Sequence, residues 1–109
     1  MRVYTELNLG KTDPGLREPE VPMDIATVQQ KAALVEELGF DGMVATETKD
    51  DSFILTTLAA AATERIEIAT SVAIAFARTP YVTAMAARRI QELSRGRFTL
   101  GLGTQVRGI

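Results

Sequence analysis

The sequence predicts an α/β fold, a parallel βαβαβαβ arrangement amounting to about half of an eight-stranded (β/α)8 barrel. Two patterns carry that expectation. Short, nearly all-apolar runs alternate with longer segments whose apolar residues recur at helical spacing. The helical segments are bounded by capping residues and by glycine or proline punctuation. Length sets the extent: the 109 residues suffice for one domain but are less than half of the roughly 250 that a complete barrel takes. Residues 1–109 are therefore expected to form a single partial barrel domain carrying strands one to four.

The first strand is expected over Val3 to Leu9, with Val3, Thr5, Leu7 and Leu9 on one side and Tyr4, Glu6 and Asn8 on the other. Gly10 to Pro22, rich in Gly and Pro, reads as a loop. Asp24 caps a helix in which Ile25, Val28, Ala32, Val35 and Leu38 form the apolar stripe, and Gly39 ends it. Phe40 to Ala45 is the second strand. Asp50, Asp51 or Ser52 then caps a helix over Phe53 to Glu64. Ile66 to Ile74 is the third strand. Thr79 and Pro80 are a capping residue and a first-turn proline for an alanine-rich helix through Leu93. Ser94-Arg95-Gly96 stops that helix, with Gly96 free to take a positive φ, and Arg97 to Gly103 is the fourth strand.

An open doubly wound sheet shares this alternation. It normally places a glycine-rich phosphate turn directly after its first strand, where this chain has a long Pro-containing loop, so the closed barrel is favoured. Twelve Lys and Arg against fourteen Asp and Glu are scattered, without the basic footprint that nucleic acid or an anionic membrane requires. The absence of cysteine removes disulfides, thiolate catalysis and sulfur-ligated metal; no metal site is expected. Histidine is absent too, so acid–base chemistry falls to a shifted Glu, Asp, Lys or Tyr, or to a group outside the chain. No apolar run approaches the roughly 20 residues of a membrane span, the N-terminus lacks a signal-like core, and a cytoplasmic location is the default expectation.

From Arg65 onward the sequence runs RIEIATSVAIAFARTPYVTAMAARRIQELSRGRFTLGLGTQ. This stretch resembles the luciferase-like monooxygenase superfamily, which has a strand ending near Thr-x-Val, an Arg-x-Pro lead into the third helix, and Leu-Ser-x-Gly-Arg-Phe-x-Leu-Gly-x-Gly. The matching positions are Arg65, Ile66, Arg78, Pro80, Ala84, Leu93, Ser94, Gly96, Arg97, Phe98, Leu100, Gly101 and Gly103. Glu-x-Leu-Gly-Phe-Asp at Glu36 to Asp41 extends the likeness upstream. The ending Gly103-Thr104-Gln105-Val106-Arg107 looks most like members that use the deazaflavin coenzyme F420 rather than FMN. The resemblance implies an oxidoreductase that transfers hydride at the C-terminal mouth of the barrel with F420, or alternatively FMN, on an unidentified small-molecule substrate. It also implies a bulge in the third strand and a non-prolyl cis peptide between Ser71 and Val72 beneath the cofactor ring.

Active sites of such barrels lie at the C-terminal strand ends. That rule nominates Glu6 and Asn8, Thr46 to Lys49, Thr70 to Ile74, and Thr104 to Arg107. Glu6 and Glu47 are the expected catalytic carboxylates. Glu6 is placed partly buried beside Leu7 and Leu9, where burial raises a carboxyl pKa. Glu47 follows the second strand where deazaflavin enzymes of this type often carry Ser-Asp-His; Thr46 then matches the Ser, Glu47 the Asp and Thr48 the His, so the usual imidazole is missing. Thr70, Ser71, Val72, Gly103, Thr104 and Gln105 are the expected cofactor contacts. Gly101 and Gly103 share one face of a strand, where the lost side chains admit either close packing or a ligand. Arg97 is expected to anchor a helix end.

A non-catalytic reading stands beside the enzyme: a half-barrel that serves as an assembly module or fragment. In either case the open first and fourth strands and an uncovered apolar face predict self-association into a homo-oligomer.

Overall fold

A computed structural model describes residues 1–7, 24–47 and 50–104. The expectations that fall on Asn8, Leu9, the loop from Gly10 to Pro22, Thr48, Lys49, Gln105, Val106 and Arg107 lie outside the described residues.

Four short strands form one parallel sheet: β1 (Tyr4–Glu6), β2 (Gly42–Ala45), β3 (Glu67–Thr70) and β5 (Phe98–Thr99), in that spatial order. Consecutive parallel strands joined by right-handed crossovers place every helix on one face. Here these are α1 (Val28–Glu37), α2 (Ser52–Ala62) and α3 (Pro80–Leu93). Thr5, Met43, Ile68 and Phe98 stand in one register row. Of these, Met43, Ile68 and Phe98 are buried beneath the helices, with Leu7 and Ala45 further along. The alternate row, Glu6, Val44, Ala69 and Thr99, lies on the opposite face, the interior of a barrel. The chain thus has the parallel β/α architecture of a partial (β/α)8 barrel.

Each helix begins as its sequence dictates. The Asp24 carboxylate accepts from the Ala26 amide at 3.0 Å and starts a 3₁₀ turn, Ile25–Thr27, that leads into α1. Val28, Ala32 and Val35 are buried as expected, whereas Ile25 and Leu38 are exposed. Ile25 sits in the tighter three-residue turn and rotates off the stripe; Leu38 follows the last helical residue. Among the three expected caps for α2, Asp51 is the one used, accepting from Phe53 and Ile54. α2 carries the buried Phe53, Leu55, Ala59 and Ala60 and packs against both neighbouring helices. Thr79 caps α3 with Pro80 in its first turn. Arg95 and Gly96 take successive positive φ values of 56° and 85° to end α3, so the stop extends to one residue besides the glycine.

α2 ends at Ala62, two residues short of the expected Glu64: Thr63 is extended, and the amides of Glu64, Arg65 and Ile66 donate to the Glu36 carboxylate instead of continuing the helix. The Arg97 guanidinium donates to the carbonyls of Ala60, Thr63, Ile66 and Ser94 and to Thr63 Oγ1. This is the anchoring expected of Arg97, spent on C-terminal groups that a helix leaves unpaired.

The third strand, in which the resemblance implied a bulge, and the fourth, expected as one run, are each divided. β3 stops at Thr70 and resumes as β4 (Ala73–Ile74); β5 stops at Thr99 and resumes as β6 (Leu102–Gly103), and β4 pairs with β6 in a separate two-stranded ladder. The peptide bond between Ser71 and Val72, in the gap, is cis. The interruption and the cis bond fall where the resemblance placed them. No helix among the described residues is long and apolar enough to cross a membrane.

Candidate active site at the strand ends

The two ladders are joined by a side chain. Thr70 Oγ1 donates to the Gly101 carbonyl at 2.8 Å and accepts from the Gly101 amide at 2.9 Å, and that carbonyl also accepts from the Ala73 amide at 2.8 Å. A hydroxyl thereby supplies the hydrogen bonds that backbone groups supply elsewhere in the ladder. A Cβ on Gly101 would lie 2.3 Å from the Thr70 carbonyl oxygen, and one on Gly103 2.7 Å from Val72 Cγ2. Close packing of the chain on itself therefore accounts for both glycines, and neither leaves a cradle for a ligand. Thr70, expected to contact cofactor, is buried with its hydroxyl engaged within the protein.

Ser71, Val72 and Thr104 are exposed at the strand ends, and the Ser71 amide donates to the Ala45 carbonyl. Val72 keeps 39% of its surface exposed while its inner side covers Gly103. Glu6 occupies the interior face beside Val44 and is exposed, not partly buried as expected. The helices cover only the other face of β1, so Leu7 is buried and Glu6 is not.

Glu47 holds the most densely bonded position at the mouth. Its Oε1 accepts from the Ile74 amide at 2.7 Å and Arg78 Nη1 at 2.9 Å; its Oε2 accepts from Arg78 Nη2 at 2.5 Å and from the amide and hydroxyl of Ser52 at 3.0 and 3.1 Å. Asp51 adds a second carboxylate to Arg78 at 3.0 Å, and the Arg78 guanidinium lies 4.5 Å from the centre of the Phe53 ring. Burial opposes ionisation of Glu47, but the hydrogen bonds from Arg78, Ile74 and Ser52 outweigh it and hold the carboxyl down at about 2. Glu47 is anionic at neutral pH and its oxygens are engaged. That is a poor state for the general acid or base expected of it.

The sequence nominated the strand ends but missed Arg78 as a member of the site, reading it only as part of the Arg-x-Pro lead into α3. Glu47 and Arg78 are 31 residues apart. No local spacing reports such a contact. Among the described residues there is no cluster of acidic, histidine or cysteine side chains arranged to hold a metal ion. A cavity of about 380 Å³ opens between α2 and α3 beside this cluster, with Asp51 and Arg78 in its wall together with Phe53, Ile54, Thr57, Leu58, Val82 and Ala86.

A parallel β/α segment with a broken third strand defines the class, a partial (β/α)8 barrel, a fold whose active sites lie at the C-terminal strand ends. The family model for luciferase-like monooxygenases matches residues 7–109, and the chain belongs to that family. Uncharacterized proteins of Mycobacterium bovis and Mycobacterium tuberculosis are 41% identical over 87 residues, which is 80% of this chain and 26% of theirs. Among solved structures, the monooxygenase RslO1 from Streptomyces bottropensis superposes with a TM-score of 0.77 at 20% identity, over 97% of this chain and 34% of that one. The coenzyme F420-dependent tetrahydromethanopterin reductase from Methanopyrus kandleri gives 0.77 at 18% identity, over 97% and 28%. The oxygenating constituent of 3,6-diketocamphane monooxygenase from Pseudomonas putida, solved with FMN, gives 0.75 at 19% identity, over 97% and 30%. The chain spans about a quarter of the curated relatives' length and about a third of these structures'.

Proposed function

We propose that the chain supplies the first four strands, with the three helices between them, of a cytoplasmic oxidoreductase that works with F420, or alternatively FMN, bound across the C-terminal strand ends. The observation that carries this reading is the interruption after β3, where Val72 stands exposed over Gly103. That is the place the family resemblance assigns to the underside of the ring. The similar structures support either cofactor, since one is named as F420-dependent and another holds FMN.

The bound cofactor would supply hydride chemistry; this chain's residues bind and orient it. Ser71 and Val72 form the seat, with Thr70 and Gly103 bracing it from behind. Thr104, exposed at the end of the fourth strand, borders its edge. Glu6, on the interior face with Val44, Ala69 and Thr99, is the carboxylate best placed to exchange a proton with a substrate inside the barrel.

The assembly-module reading draws on a different observation. Phe76, Tyr81, Val82, Met85 and Leu102 are all exposed apolar side chains, a surface that calls for cover. Titrating the purified protein with F420 and with FMN, followed by absorbance and fluorescence, separates the two. Saturable binding, tighter for F420, is expected. Tighter FMN binding would reverse the cofactor choice, and binding of neither would leave the assembly reading.

A further inference from the structure

The end of the third strand is held on one side by backbone and on the other by a side chain. β4 pairs with β6 through Ala73 and Ile74. Across its other edge the ladder to β2 closes with the Ser71 amide on the Ala45 carbonyl, the last residue of β2. Beyond that point the chain after β2 no longer runs as a strand, and the Ile74 amide finds its acceptor in the Glu47 carboxylate, at 2.7 Å. Glu47 thus takes the place of a missing strand neighbour, two residues past Val72.

A lone carboxylate on a short connecting segment is a poor substitute for a strand, because its rotamers are free. Here they are fixed. Arg78 grips both oxygens in a forked contact, Ser52 adds its amide and hydroxyl at the start of α2, and Asp51 and Phe53 hold Arg78 from two further sides. The Glu47 and Arg78 side chains are only 10% and 16% exposed, so their attraction is little screened by water. The fork requires a guanidinium, since an ammonium presents a single point of charge.

We propose that Glu47 and Arg78 are a positioning pair, holding the Val72–Ile74 segment in the geometry that seats the ring, and that Glu47 does not itself transfer a proton. This rests on the functional reading of the mouth given above. In this arrangement the first turn of α2, the end of the third strand and the approach to α3 meet at one ion pair, and a disturbance of any of them reaches the seat through Ile74.

The test uses Glu47→Gln and Arg78→Lys in the full chain, with two readouts. Hydrogen exchange at the Ile74 amide reports on the pair without any ligand; titration with F420 and FMN reports on the seat. Both variants are expected to speed Ile74 exchange at least tenfold, with residues of β2 and α1 little changed, and to weaken binding of the preferred cofactor tenfold or more. Arg97→Lys serves as a control, because it loosens the end of α2 at the opposite end of the strands; it should lower stability and leave the affinity of the folded protein unchanged. Unchanged Ile74 exchange in Arg78→Lys would overturn the proposal, as would faster exchange with undiminished affinity. Should Glu47→Gln fail to fold, Arg78→Lys carries the same two arms. Failure of the native chain to bind either cofactor would count against the functional reading alone, since the exchange arm still decides whether the pair holds the segment.

Discussion

The hydroxyl of Thr70 both donates to and accepts from Gly101, closing a two-bond bridge across the point where two neighbouring strands break together. β3 pairs with β5 before the break and β4 with β6 after it. Without the bridge the two ladders would meet at a gap with the Gly101 amide unpaired.

Thr70→Val tests the bridge at nearly constant shape. The Gly101 carbonyl keeps the Ala73 amide as donor, so the principal loss is one unsatisfied amide, about 2 kcal/mol. Thr70→Ser keeps the hydroxyl and gives up one buried methyl group, about 1 kcal/mol. Chemical denaturation should rank native above Ser above Val; equal stability of Val and native would show that the bridge contributes nothing.

Alanine at position 101 should be worse than alanine at position 96. A Cβ on Gly101 meets backbone, the Thr70 carbonyl oxygen at 2.3 Å, and backbone cannot swing aside. The expected cost is about 3 kcal/mol, at the upper end of overpacking losses. Gly96 has φ of +85° and nothing within 4 Å of an added Cβ, so only the left-handed backbone is penalised, at about 1 kcal/mol. Midpoints of urea unfolding for the two variants decide the order.

Acid should weaken the protein through Glu47 in a defined window. Its folded-state pKa of about 2 lies below the ordinary value of 4.5, so the stabilisation is fully present above about pH 4.5 and is lost as pH falls toward 2. The full loss is on the order of 3 kcal/mol. Glu36 acts in the same sense: burial opposes its ionisation, but the amides of Arg65, Ile66 and Glu64 outweigh this and lower its pKa. Unfolding free energies measured at pH 7, 4 and 2.5 for the native chain and Glu47→Gln isolate the Glu47 share. The variant should have the shallower dependence, and parallel curves would contradict the assignment.

The chain is expected to self-associate. Tyr81, Val82 and Met85 on α3, with Phe76 before it and Leu102 on β6, are exposed and apolar, and β1 and β5 are the outer strands of the main sheet. Covering a few hundred Å² of such surface is worth on the order of 10 kcal/mol at about 25 cal/mol per Å², before association costs. Light scattering at low micromolar concentration should give a mass above the 11.8 kDa of one chain. A stable, cooperatively melting monomer would refute this expectation.

Much of the framework was written locally. Asp51 and Thr79 cap helices because their side chains reach amides two or three residues on, and Gly96 sits where α3 must reverse. Alternation of apolar and polar residues put Leu7 and Glu6 on opposite faces of β1, but not which face would be covered; the expectation that Glu6 is partly buried failed on that point. Similarly, the largely apolar segment from Ile66 to Ile74 reads as one strand, since hydropathy carries no mark of a break in pairing.

The sequence by itself determined the order of the main elements, the caps at Asp24 and Thr79 and the stop at Gly96, and its family resemblance placed the bulge at Ser71–Val72. These depend on contacts within a few residues or on motifs in fixed order. Only the tertiary structure decided that Thr70 would bond Gly101 and that Glu47 would be clamped by Arg78, each pair 31 residues apart. Such pairs form because parallel strands bring distant segments to the same end of the sheet, and a side chain's partners there depend on the register and twist of the whole.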